Sequence, residues 1–208
     1  MSRLLILTGP QGSGNHVFSK CLAVHEDVHG WKSLLNEYWE GHHREPFADM
    51  WQDTELLREF DWTQSEHFVT SVSCPYFKNR VPVVPDYKKF ISIAKEYVDS
   101  VDIAIIGRDQ NILKYQQQRI RKVHTTPIAT ENFKWLLKNH SCSFLSQELL
   151  YLYRSDYLEQ VSKHLDWPIA HWDPEIEEIL KEDANEKYIK PAEPHWLDFE
   201  VEQAVKES

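Results

Sequence analysis

The feature that most constrains this chain is a short aliphatic run that stops on a glycine-rich turn and resumes as a helical pattern. Leu4 to Leu7 are consecutive apolar residues within Arg3–Thr8, and Gly9-Pro10 ends them. A run of that length bounded by turn residues reads as a buried strand. After Gly14 the apolar positions Val17, Phe18, Cys21, Leu22 and Val24 fall three or four apart, the spacing of one helix face. Strand, turn and helix in this order form the opening unit of an α/β fold.

The alternation continues. Phe68 to Ser73 reads as a second strand stopped at Cys74-Pro75, and Asp86 is placed to cap a helix carrying Phe90, Ile91, Ala94 and Val98. Val101–Ile106 is another buried strand, running into Gly107-Arg108-Asp109 and a polar helix that ends near Arg121. Ser143–Ser146 reads as a fourth short strand, followed by a helix with Leu150, Tyr153, Tyr157, Leu158, Val161 and Leu165, closed by Pro168. Residues 31–66 show weak periodicity and read as short helices and loops. The expected fold is therefore α/β, a three-layer P-loop arrangement with a mostly parallel central sheet and helices on both faces.

Charge divides the chain unevenly. The 208 residues carry a net charge of −10, and residues 173–208 hold twelve acidic and four basic side chains, so residues 1–172 are nearly neutral. We expect one domain over 1–172 and an acidic C-terminal extension over 173–208, packed on that domain or fraying from it. The balance argues against a general nucleic-acid binder, which must neutralise many phosphates. A small anion is compatible with it. No apolar run approaches the roughly 20 residues of a membrane span, and no signal-peptide pattern opens the sequence. Cys21, Cys74 and Cys142 lack C-x-x-C spacing, which points away from a disulfide framework and towards a cytoplasmic setting.

Gly9-Pro-Gln-Gly-Ser-Gly14 supplies the chemistry. Glycine allows the backbone to turn its N–H groups on a phosphate, and the following helix N-terminus adds partial positive charge. The pattern fits a P-loop through Gly9 and Gly14. Asn15-His16 then stands where Lys-Ser or Lys-Thr is expected. A kinase needs that lysine on the phosphates and that hydroxyl on Mg²⁺, so the substitution argues against ordinary Mg-ATP chemistry.

Three segments resemble P-loop sulfotransferases. Ser13–Phe18 with Leu22–Val28 is similar to the family's opening turn and helix. Ile103–Asp109 resembles its strand ending in arginine, and Phe144–Leu149 with Tyr157–Pro168 resembles its later Tyr-Glu-Asp-Leu and Leu-Gly-x-Pro segments. The resemblance implies a co-substrate, 3′-phosphoadenosine 5′-phosphosulfate, with its 5′-phosphosulfate at Pro10, Gln11, Gly12, Ser13, Gly14, Asn15 and His16. Its 3′-phosphate would lie near Arg108, with Gln116 where the family has a serine. No resident metal is implied. The basic residue that commonly precedes the family's Ser-Gly is Gly12 here, and no late Arg-Lys-Gly segment is evident. Arg119, Arg121 or Lys122 are the cations that could substitute.

Sulfonate transfer needs alignment, neutralisation of the leaving group and a base for the acceptor. His16 and His67 are the candidate catalytic residues, with Ser71 and Ser73 as polar strand residues near the acceptor. His25 with His29, and the pair His42-His43, lack a third metal ligand at recognisable spacing. Trp31, Tyr38, Trp39, Trp51 and Trp62 form an aromatic concentration that lines an acceptor pocket or fills the core. The expected function is sulfonate transfer to a small-molecule or glycan hydroxyl or amine. The alternatives are a noncatalytic nucleotide- or phosphate-binding P-loop module and an atypical P-loop kinase.

Overall fold

The computed structural model describes residues 1–32, 45–78 and 81–181, with the side chains of residues 120 and 121 not described. Tyr38, Trp39, His42, His43, the Arg121 side chain and residues 182–208 therefore lie outside the described residues.

The chain opens with β1 (Arg3–Gly9), α1 (Asn15–Ala23) and β2 (Val28–His29), and a 3-10 turn over Thr54–Arg58 leads to β3 (His67–Ser73). A two-stranded hairpin, β4 (Tyr76–Lys78) and β5 (Val81–Val83), precedes α2 (Tyr87–Ala94) and β6 (Ser100–Gly107). Then come α3 (Gln110–Arg121), α4 (Thr126–Asn139), β7 (Cys142–Ser146), α5 (Gln147–Leu165) and α6 (Pro174–Lys181). The five-stranded sheet has the order β2-β3-β1-β6-β7 and every pairing in it is parallel. Helices cover both of its faces, as the alternation of strand and helix patterns requires.

Because successive strand side chains point to opposite faces, β1 feeds two cores. Leu5 and Leu7 pack with Val17, Phe18 and Leu22 of α1, Leu150 and Leu158 of α5, and Ile176 and Ile179 of α6. Leu4 and Ile6 pack with Phe68, Phe90 and Ile91 and with Phe133 and Leu136 of α4. The α1 pattern predicts one apolar face, yet Asn15, Ser19 and Lys20 are buried as well. The reason is tertiary: Trp31 lies against Lys20, and the turn and β3 enclose Asn15.

Asp86 caps α2 by accepting from the Lys89 N–H, as its position predicts. The helix α4 has no counterpart in the sequence reading, because Thr126-Pro127 and scattered polar residues blur its period. The helix α5 is kinked at Arg154, whose φ is 45°, and Asp166 ends it in the left-handed conformation.

Candidate functional site

Parallel pairing sets the C-terminal ends of four strands side by side. Gly9 of β1 lies opposite Ser73 of β3, and Gly107 of β6 opposite Ser146 of β7. Open α/β sheets bind ligands at this edge. The turn of residues 10–14 crosses it.

The turn is held from behind by donors on its carbonyl oxygens. Gly9 O accepts from the Cys74 N–H at 2.9 Å and from Asn15 Nδ2 at 3.3 Å. Gln11 O accepts from Gln117 Nε2 at 2.8 Å, and Gly12 O accepts from Arg108 Nη1 at 2.8 Å. The Ser13 N–H donates to Pro10 O at 3.1 Å. Gly9 must be glycine because a Cβ there would sit 2.3 Å from Ser13 Oγ and 2.6 Å from Ile106 O. Gly12, at φ +88°, occupies the left-handed region that costs other residues energy.

The helix α1 starts at Gly14, which makes no side-chain cap, and its first turn contains no acidic residue. The first N–H groups of a helix lack intrahelical acceptors. With no carboxylate competing, that end is electrostatically suited to an anion.

Asn15 does not present its amide to a ligand. It is buried; its Oδ1 accepts from Ser13 Oγ at 3.0 Å, and its Nδ2 donates to Gly9 O and to Ser73 Oγ, the latter at 3.1 Å. In place of a P-loop lysine, the position carries a neutral clip that joins the turn to β3. Ser13, fully buried, belongs to the same clip.

Arg108 follows β6 and reaches the turn. Its Nη1 bonds Gly12 O and also Gln116 Oε1, the latter at 3.0 Å. Gln116 therefore faces the guanidinium as an acceptor and stands against Gly12, where a Cβ would come 2.7 Å from Gln116 Oε1. Pro10, Gln11, Gly12, Ser13, Gly14, Asn15, Arg108 and Gln116 are thus contiguous. His16 sits in the first turn of α1, half-buried, with its ring edge-on to Trp31 at 5.2 Å.

His67 is a correction. It pairs with Arg3 at the first position of β1, at the opposite end of the sheet from Gly9. Six residue steps of roughly 3.3 Å each separate the two ends, so His67 cannot serve a group bound at the turn. It packs edge-on to Trp167 at 5.2 Å, and burial, then the nearby Arg3, lowers its pKa. Ser71 is buried within β3, whereas Ser73 reaches the turn through Asn15. Arg119 and Lys122 are exposed.

The aromatic expectation resolves towards packing. Trp51 stacks on Phe90 at 3.7 Å, and Trp62 lies in the cluster of Phe47, Phe60 and Phe68. His29 joins that cluster, its pKa lowered chiefly by burial. Among the described residues, no group of three or more His, Cys, Asp or Glu side chains is placed to hold a metal ion. None of the described helices is long and apolar enough to cross a membrane. Cys21, Cys74 and Cys142 are free thiols, and burial pushes Cys21 up to about 12.

Three residues at this end of the sheet have no role assigned by the sequence, although Gln147 lies within the segment Phe144–Leu149. Gln117 is fully buried against the turn, and Gln147 packs its side chain on Gly14. Glu45 is a buried carboxyl beyond β2, along the edge of β3 that faces away from β1; it accepts from the Ser71 N–H at 3.3 Å and the Phe47 N–H at 3.0 Å. Burial pushes its pKa up to about 8 against these hydrogen bonds. A lone Gln or Glu outside any motif is indistinguishable by sequence from a surface residue.

No protein-family model matches the chain, and no curated protein matches it. Among solved structures it is similar to a sugar kinase from Janibacter sp. HTCC2649 in its unliganded form. The identity is 13% and the TM-score 0.38, over 82% of this chain and 98% of that one. A likeness that low says nothing of substrate or chemistry, and the sheet order and the turn define the fold by themselves.

Proposed function

We propose that this chain is a nucleotide-binding P-loop protein that holds phosphate groups at the turn of residues 10–16. The observation that carries the reading is the convergence of Arg108 on Gly12 O beside an α1 start free of acidic residues. Backbone N–H groups and one guanidinium then supply what a resident P-loop lysine supplies elsewhere.

A second, finer reading is sulfonate transfer from 3′-phosphoadenosine 5′-phosphosulfate to a hydroxyl or amine. The engagement of Asn15 favours it over Mg-dependent phosphoryl transfer: the side chain at the lysine position is neutral and occupied by Ser13, Gly9 and Ser73, and His16 at the next position offers no hydroxyl to Mg²⁺. The residues present suit such a donor, with the turn for its 5′ end and Arg108 with Gln116 for its 3′-phosphate. The donor supplies an activated sulfonate when bound. The chain supplies alignment and charge neutralisation, and His16 is a titratable group at the turn suited to receive the acceptor's proton.

Thermal denaturation with adenosine 3′,5′-bisphosphate and, separately, with Mg-ATP tests both readings, since a ligand bound only by the folded state raises its stability. Stabilisation by the bisphosphate without Mg²⁺ supports sulfonate transfer, and labelled sulfonate appearing on an acceptor then separates an enzyme from a binding module. A preference for Mg-ATP favours an atypical kinase. No response to either ligand removes the nucleotide reading.

A further inference from the structure

We infer that Gln117 is a positioning residue for phosphate binding, an inference that rests on the nucleotide-binding reading: it sets the Gln11–Gly12 peptide plane so that the Gly12 N–H faces the ligand side of the turn. Gln117 is fully buried. Burying an uncharged amide costs free energy unless its polar atoms are satisfied, and an aliphatic side chain would fill the same space without that cost.

The orientation of the Gln117 amide is forced. Its oxygen accepts from the Thr125 N–H at 2.8 Å, and from the Thr126 N–H and Thr126 Oγ1 at 3.2 Å each. Backbone N–H groups only donate, so Oε1 must face them and Nε2 must face Gln11 O, 2.8 Å away. In a trans peptide the carbonyl and the following N–H point in opposite directions. Holding Gln11 O towards α3 therefore turns the Gly12 N–H away from α3. Arg108 holds the next carbonyl, Gly12 O, in the same way. Gln117 thus pre-shapes the turn for an anion that it need never touch itself, and preorganised donors bind without a reorganisation cost.

A purely structural role is the rival, because the same oxygen serves the start of α4. The test replaces Gln117 with Met, of similar length and with no donor, and measures adenosine 3′,5′-bisphosphate affinity by calorimetry on protein shown to be folded by circular dichroism. We expect affinity to fall about tenfold, the loss of roughly one well-formed hydrogen bond. In the wild-type protein, titration with the bisphosphate and with inorganic phosphate should move the Gly12 amide proton resonance. A folded Gln117→Met protein that binds as tightly as wild type overturns the inference. So does a Gly12 resonance that stays still while ligand binds, which decides the matter if the variant does not fold. If inorganic phosphate moves Gly12 but neither the bisphosphate nor Mg-ATP binds, the positioning role stands and the nucleotide reading falls; if nothing binds, both fall.

Discussion

The guanidinium of Arg108 donates to the carbonyl oxygen of Gly12 at 2.8 Å, joining the end of β6 to a turn that lies 96 residues earlier in the chain. The contact exists because β6 and β1 are adjacent and parallel, with Thr8 opposite Ile105, so both chains leave the sheet at the same edge. It puts a fixed positive charge beside a backbone that has no charge of its own.

Removing that charge should weaken ligand binding more than folding. Arg108→Ala is expected to lower affinity for adenosine 3′,5′-bisphosphate by about 10- to 100-fold, the range of a charge-assisted hydrogen bond worth roughly 1.5–3 kcal/mol. Arg108→Lys should recover only part of this, since an ammonium cannot reproduce the planar fork. Calorimetric titration of both variants checks the order; equal affinity in Arg108→Ala and wild type would detach Arg108 from the site.

The Asn15 clip should tolerate no acidic replacement. Asn15→Asp exchanges the donor to Gly9 O and Ser73 Oγ for an acceptor and sets a negative charge at the mouth of α1. We expect a loss of about 1–3 kcal/mol in urea unfolding, with phosphate binding abolished. Asn15→Ala should cost stability but keep some binding, because it adds no repulsive charge.

Steric closeness makes a further prediction at Gly9. Its missing Cβ would lie 2.6 Å from the backbone oxygen of Ile106, which cannot swing aside as a side chain can. Gly9→Ala should therefore separate β1 from β6 at the turn and cost on the order of 1–3 kcal/mol, as overpacked sites do. Wild-type stability in Gly9→Ala, read by thermal melting, would show that the turn relaxes freely.

The buried Glu45 carboxyl links stability to pH. Its pKa is about 8 in the folded chain against 4.5 for the ordinary group, so the folded state binds the extra proton between those values. Its contribution is fully present below about pH 4.5 and is lost as pH rises through about 8, with a slope of up to about 1.4 kcal/mol per pH unit. Glu45→Gln should flatten that part of the curve and cost about 1–3 kcal/mol at pH 5, because an amide offers one acceptor where the carboxyl serves both the Ser71 and Phe47 N–H groups. Urea unfolding of both proteins from pH 5 to pH 8.5 decides; parallel curves would show that another group titrates.

Local composition and period were enough for several parts of this molecule. The aliphatic run at Leu4–Leu7, the glycines that end it and the spacing from Val17 to Leu22 define β1, the turn and α1, because burial on both faces and helical periodicity each leave a signature within ten residues. Asp86 announces α2 by the same local logic. The alternation of such segments already implied helices on both faces of a parallel sheet.

What pairing and packing alone decided was which side chains serve the turn. His67 and Ser73 begin and end one strand, and only the register with β1 sends the first to the far edge and the second to Asn15. The roles of Gln117, Gln147 and Glu45 are not written in the sequence, because an amide or a carboxyl becomes important only when neighbours distant in the chain remove its water and supply its partners. A residue's own chemistry is written in the sequence; its desolvation and its partners are properties of the assembled fold.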